Sequence, residues 1–294
     1  MGYLLQKLRS GARKLRQPSV PAAQNMMQQT PEDTEHGRYI LGSCESPTAE
    51  EYAREHLARL IRTLEVTPRG SSNDRVLEMG AYMQITPALQ YKLGYGEVRG
   101  CNLGPSGEVV HKSTQTADGE RFECEVDLFN AEREPFPYPD EHFTTVICCE
   151  LLEHLNEDPM RMMAEINRVT KPGGRLVMTT PNVCSTRGVA AILTGFQPQQ
   201  FSQYLKPNED GTLDPKHSRE YAPRELGDLL RDAGYNVDRL ETGPCGSRDM
   251  EKFDWVLPFL EKTGYPTELR EEGIYVVGSK TGPVRDRYPS WLYA

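Results

Sequence analysis

Between Arg75 and Thr180 the chain alternates short apolar strand patterns with helices or long crossovers, and this alternation leaves few folds open. Strand patterns lie at 75–79, 97–103, 121–126, 143–149 and 175–180, and two more follow at 236–240 and 273–280. Helical periodicity marks 87–93, 159–169 and 223–233, with a further helix over 250–264 interrupted at Pro258. The polar, Gly-containing stretch 104–120 reads as an insertion or hairpin. Strands joined in this way build a parallel sheet with right-handed crossovers and helices on both faces. The expected fold is therefore α/β, a doubly wound sheet of seven strands.

The bulk of the chain fits one such domain. Its 294 residues suffice for one large α/β unit or two small ones. Apolar residues make up 37%, so polar segments must dilute the core. Residues 1–47 read as a basic leader and flexible linker, rich in Pro, Gln, Ser and Thr after residue 16. The domain is expected over 48–294, opening with an amphipathic helix from Thr48 and carrying a lid insertion around 182–222. A net charge of −9 argues against a long nucleic-acid partner, which needs a basic face. The seven cysteines form no C-x-x-C pair, which points to reduced thiols in a cytoplasmic protein. The N-terminus lacks a signal-peptide core. Residues 1–16 set leucines among lysines and arginines, a pattern for contact with an anionic membrane or for a solvated leader.

Ligands in open α/β sheets collect outside the carboxyl ends of the strands, so the residues leaving each strand carry the functional argument. The first strand ends in Glu78-Met79-Gly80-Ala81-Tyr82-Met83-Gln84. Its glycine permits a tight turn, and its carboxylate can accept hydrogen bonds from an ammonium group. After the fourth strand comes Glu150-Leu151-Leu152-Glu153-His154. In a helical turn, positions i, i+3 and i+4 share a face. Two carboxylates and an imidazole would then converge as a general base for a hydroxyl, or as a site for Mg2+ or another divalent metal.

Residues 132–174, EREPFPYPDEHFTTVICCELLEHLNEDPMRMMAEINRVTKPGG, resemble the class I S-adenosylmethionine-dependent methyltransferases, with their LPF-x-D-x-x-FD-x-V, E-x-LEH and RV-L-KPGG segments. The resemblance extends over roughly 74–280. It implies a Rossmann-like, mostly parallel sheet with a late antiparallel strand, and S-adenosylmethionine as cofactor. It places the cofactor at Glu78, Gly80, Ala81, Tyr82, Asn102, Leu103 and Glu150. The adenine contact falls at Asp127 and Leu128, with Asn130 and Glu132 as competitors. The chain departs from the family's E/D-x-G-x-G-x-G at Tyr82 and Gln84, and Asn102 replaces the acidic residue that holds the ribose hydroxyls.

The cluster also resembles the E-x-x-E-H element of ubiquinone-biosynthesis O-methyltransferases and small-RNA 2′-O-methyltransferases, where a downstream histidine completes a metal site. That resemblance implies Glu150, Glu153, His154 and His217 as ligands, with His154 and Glu153 as catalytic groups. The same cluster occurs without metal elsewhere in the superfamily, where it caps a turn. Residues Pro181 to Ser185 should frame the acceptor pocket, and Phe196, Phe201 and Tyr204 could stack on a ring or anchor the lid. The expected function is O-methylation of a sugar or polysaccharide-precursor hydroxyl, or of another small metabolite. N- or C-methylation of a small metabolite, or a silent methyltransferase-like module, are the alternatives. The absence of G-x-G-x-x-G after the first strand argues against a nicotinamide oxidoreductase.

Overall fold

The computed structural model describes residues 30–200, 206–208, 216–246 and 250–294. The chain divides into two compact units, Met1–Thr30 and Pro31–Ala294. The first lies outside the described residues apart from Thr30, and so does the expected membrane contact of residues 1–16.

Among the described residues eight strands form one sheet: β1 (Arg75–Met79), β2 (Glu97–Asn102), β3 (Glu108–Gln115), β4 (Arg121–Leu128), β5 (Phe143–Cys149), β6 (Thr170–Pro181), β7 (Tyr235–Gly243) and β8 (Gly273–Lys280). Their order is β3-β4-β2-β1-β5-β6-β8-β7. The central pairs are parallel, while β8 runs antiparallel to both β6 and β7. The chain leaves β1 towards β2 on one side and returns to β5 on the other. That reversal puts the switch point between β1 and β5, where such sheets bind ligands.

One strand exceeds the seven expected. β3 pairs antiparallel with β4 along its whole length, so the 104–120 insertion is the outer half of a hairpin that widens the sheet. Its outward, polar sequence hides the strand, because an edge strand with a solvated face lacks the apolar run of a buried one.

The central strands are apolar on both faces. Leu77, Val146, Cys148, Leu176 and Met178 face one core, and Val76, Ile147 and Val177 face the other. Side chains that alternate across a strand explain this division. Against the first face pack α5 (Pro159–Val169), through Met160, Met163 and Ile166, and α7 (Pro223–Asp232), through Leu226, Leu229 and Leu230. Asp158 starts α5 by accepting from the Arg161 amide at 3.1 Å, and Pro159 occupies its first turn.

The opposite face is covered by α1 (Glu35–Gly42), α2 (Pro47–Glu55), α3 (Leu57–Val66) and α4 (Thr86–Tyr91). α1 corrects the expected linker of 1–47: Thr34 caps it, and Tyr39 and Ile40 are buried, so the folded unit begins at Pro31. The expected single helix from Thr48 is broken at His56 into α2 and α3. Beyond β6, α6 (Thr186–Leu193) and α8 (Val256–Thr263) share a small apolar cluster of Ala190, Val256 and Leu260. Pro258 does not interrupt α8. It lies in the first turn, where an amide has no helical partner.

Candidate active site

A cleft of about 1190 Å³ opens at the carboxyl ends of β1, β2, β4 and β5 and continues past β6 towards β7 and β8. Glu78, at its floor, is buried, and its Oε2 has no hydrogen-bond partner. Burial pushes this carboxyl up to about 7. Gly80 turns the chain with φ at +75° and donates its amide to the Cys101 carbonyl at 2.8 Å. Gly100 on β2 lets this turn sit close, since a Cβ there would stand 2.7 Å from that of Ala81.

The two departures from the glycine pattern do not fill the cleft floor. Tyr82 is 65% exposed, with its ring beneath Lys112 Nζ at 5.5 Å from the centroid. Met83 takes the left-handed conformation at φ +74°, which a glycine would adopt more easily, and Gln84 lies at the cleft wall. Asn102 donates Nδ2 to the Ala81 carbonyl at 3.2 Å, while its buried Oδ1 has no partner. Lys112, from strand β3, reaches the same carbonyl at 2.9 Å. Leu103 lines the rim and is 78% exposed.

Asp127 and Leu128, expected at the adenine, are not among the cleft-lining residues. Arg99 grips Asp127 with Nε at 2.6 Å and Nη2 at 2.8 Å, and the Tyr138 hydroxyl donates to it at 2.7 Å. Burial raises this carboxyl, but the Arg99 and Tyr138 bonds outweigh burial and hold it low. Leu128 packs against Gly104. Phe129, Asn130 and Ala131 line the cleft in their place. Glu132 also lines it, but its Oε1 accepts from the amides of Glu157 and Asp158.

Glu150 stands at the strand-to-turn junction with φ at +50°, a conformation that costs a non-glycine residue energy. Its carboxylate is taken by Arg59 Nη1 at 2.8 Å and by the Thr179 hydroxyl at 2.8 Å. Arg59, from α3, carried no sequence signal. Its burial opposes the charge, and Glu150 more than restores it. Glu150 therefore lines the cleft as half of an ion pair and is not part of the metal-ligand cluster expected of it.

The cluster that does form is Glu153, His154 and His217, whose candidate ligand atoms all lie within 4.8 Å of one another. Leu152–His154 make one 3-10 turn. The segment before α7 is tied to it, since the amides of Ser218 and Arg219 both donate to the Glu153 carbonyl. Glu153 is 1% exposed; Oε2 accepts from the Thr180 hydroxyl at 2.9 Å, and Oε1 has no partner. Burial, reinforced by Glu150, pushes its carboxyl well above the usual range. His154 Nδ1 meets the Lys216 carbonyl at 2.9 Å, and His217 Nδ1 meets buried Glu220 at 3.1 Å. Those partners accept, so each ring donates from Nδ1. Burial, opposed by the Lys216 carbonyl, holds His154 below the ordinary histidine pKa.

One carboxylate and two imidazoles fixed by outer hydrogen bonds are a donor set for a divalent transition metal. Glu78 Oε2 and Asn102 Oδ1, at adjacent strand ends, are buried acceptors without a hydrogen-bond partner.

A family model for methyltransferase domains matches residues 49–240, most of the folded unit. The chain belongs to the methyltransferase-domain family. This methyltransferase domain is 30% identical over 168 residues to the ubiquinone biosynthesis O-methyltransferase of Pseudomonas fluorescens, covering 57% of this chain and 67% of that one. It is 31% identical over 140 residues to the enzyme of that name from Pseudomonas putida, covering 48% and 55%. The matched segment spans 35% of a probable S-adenosylmethionine-dependent methyltransferase from Mycobacterium tuberculosis, so the chain covers only part of the length of curated relatives it matches. The domain also superposes with a TM-score of 0.50 on a chain from the complex of the Haloferax volcanii Trm112 methyltransferase activator with a methyltransferase. That match is at 17% identity and covers 79% of this chain and 92% of that one, which shows the shared fold.

Proposed function

We propose that this chain transfers the methyl group of S-adenosylmethionine to a hydroxyl oxygen of a small, polyhydroxylated acceptor, with a sugar or polysaccharide precursor as the leading class. The observation that carries this reading is the joining, in one cleft, of two orphaned acceptor atoms at the switch point with the Glu153–His154–His217 cluster. Glu78 would receive the ammonium of the methyl donor and Asn102 a ribose hydroxyl, while Phe129 to Ala131 flank the adenine. The donor, a consumed substrate, supplies an electrophilic methyl on a sulfonium.

The acceptor oxygen gains the methyl as the sulfur–carbon bond breaks, and the bonding pair stays on sulfur, leaving S-adenosylhomocysteine. Holding the reactants in line supplies much of the rate. His154, neutral at pH 7 because its pKa is lowered, takes the hydroxyl proton at Nε2. If Glu153, His154 and His217 instead held a divalent cation, it would supply Lewis acidity at the acceptor oxygen, and His154 would be a ligand rather than the base. Two imidazoles in three donors suit Mn2+ or Zn2+ better than Mg2+. The ubiquinone biosynthesis O-methyltransferases among the relatives support an oxygen acceptor. Seven free thiols support a reducing compartment such as the cytoplasm. No described helix is long and apolar enough to cross a membrane.

Calorimetry and thermal shift test the reading together. S-adenosylhomocysteine at 100 times its dissociation constant should add about 2.7 kcal/mol to stability. Mn2+ should bind the wild type and not Glu153→Ala. No shift at millimolar cofactor would instead indicate a silent module, and transfer to amines alone would indicate N-methylation.

A further inference from the structure

Two carboxylates are buried at the far side of the cleft, Glu272 in its lining and Glu220 behind His217, and they differ in one respect. Glu220 is satisfied: it accepts from the Gln200 amide at 2.7 Å and from His217. Glu272 is also buried, with its side chain 9% exposed, and it lines the cleft, yet neither of its carboxylate oxygens has a hydrogen-bond partner. Its backbone is firmly placed, since its carbonyl accepts from the Asn182 amide at 2.8 Å and from Gln200 Nε2 at 2.7 Å. Leaving a buried acceptor unmade is costly, more so for a charged one.

Arg187 stands beside Glu272 without forming a hydrogen bond to it. Nη1 and Nη2 of Arg187 go to the carbonyls of Gln199 and Pro198. Nε stands 3.5 Å from Glu272 and makes no hydrogen bond of its own. Arg187 thus supplies charge while both carboxylate oxygens keep their lone pairs.

Position relates Glu272 to the reacting centre. Gly273 pairs with Pro181 and Ile274 with Thr180, whose hydroxyl binds Glu153. Glu272 therefore lies two residue steps, about 7 Å of strand, beyond the register position tied to Glu153. A carboxylate only accepts, so its ligand must be a donor. Glu271 and Glu272 together make this wall unfavourable for a phosphorylated or carboxylated group at that point.

We propose that Glu272 is the acceptor-recognition residue of the cleft, receiving a hydroxyl of the acceptor other than the one that is methylated. The inference rests on the hydroxyl-methylation reading above. It makes the favoured acceptor one with at least two hydroxyls on the same small framework.

The test compares wild type, Glu272→Gln and Glu272→Leu with paired probes: methyl pyranosides against their singly deoxygenated analogues, and catechol against phenol. S-adenosylhomocysteine titration comes first and should give dissociation constants within about twofold for all three, since Glu272 lies away from the cofactor half. Glu272→Leu should then raise KM for the doubly hydroxylated probe about 10- to 100-fold, with kcat nearly unchanged and KM for the single-hydroxyl partner unaltered. Glu272→Gln should fall between. An equal loss on both members of each pair, or no change, overturns the proposal. If Glu272→Leu does not bind S-adenosylhomocysteine, Glu272→Gln carries the comparison alone. Wild type that methylates amines but no hydroxyl defeats the underlying reading before any variant is needed.

Discussion

Glu78 and Asn102 reach the cleft from neighbouring parallel strands, whereas Glu153, His217 and Glu272 reach it from segments that meet only after the chain has crossed the sheet. In the cofactor half the sheet register itself fixes the polar atoms, since Glu78 pairs with Gly100 and Met79 with Cys101. In the acceptor half a few cross-links do the fixing, chiefly the Ser218 and Arg219 amides on the Glu153 carbonyl and His154 on that of Lys216. A rigid half suits a constant ligand and a cross-linked half suits a particular one. Substitutions in the first should change affinity for the methyl donor, and substitutions in the second should change turnover and acceptor choice.

The sharpest test of that division is Glu153→Ala. It should lower kcat about 100- to 1,000-fold while S-adenosylhomocysteine binds as before, as stopped assays and calorimetry would measure. A matching loss of cofactor affinity would erase the distinction between the halves.

Next in size, Glu78→Ala should weaken S-adenosylhomocysteine binding about 10- to 100-fold, because a charge-assisted bond is lost. The same group gives a pH signature. Its folded pKa of about 7 lies above the unfolded value near 4.3, so the apo protein loses up to roughly 3 kcal/mol of stability as pH rises between the two. Glu78→Gln should flatten that decline in chemical denaturation. In the wild type, ligand affinity should rise through pH 7 as the carboxylate ionises to meet an ammonium.

Asp127→Asn probes a residue on the other side of the line. It should cost about 2 kcal/mol of stability by loosening Arg99 and Tyr138, with the cofactor dissociation constant unchanged. A fall in affinity without a fall in stability would return Asp127 to the binding site. The smallest effect is expected for Asn102→Ala, about a three- to tenfold loss of S-adenosylhomocysteine affinity, since one neutral hydrogen bond is at stake.

What could be read from the sequence follows the same boundary. The strands that carry Glu78 and Glu150, and the helix Pro159–Val169, were legible because buried strands are apolar runs and this helix has a cap, a first-turn proline and a regular apolar face. β3 was legible only as one of two readings, an insertion or a hairpin, since a solvated edge strand lacks an apolar run. α1 was not, since the Tyr39 and Ile40 that bury it stand in an otherwise polar stretch. At the site, Glu153, His154 and His217 could be named from the resemblance of their segment to the E-x-x-E-H element, but Arg59 and Glu272 gave no local sign.

Sequence alone determined the α/β alternation, the acidic turn after β5 and the position of the glycine turn, because each depends on residues adjacent in the chain. The tertiary structure decided which carboxylates are occupied. Arg59 takes Glu150, Arg99 takes Asp127, and Glu153 and Glu272 keep unpaired oxygens in a buried cleft. Each outcome depends on which distant side chain the packed elements bring within hydrogen-bonding distance, and no spacing along the chain encodes that.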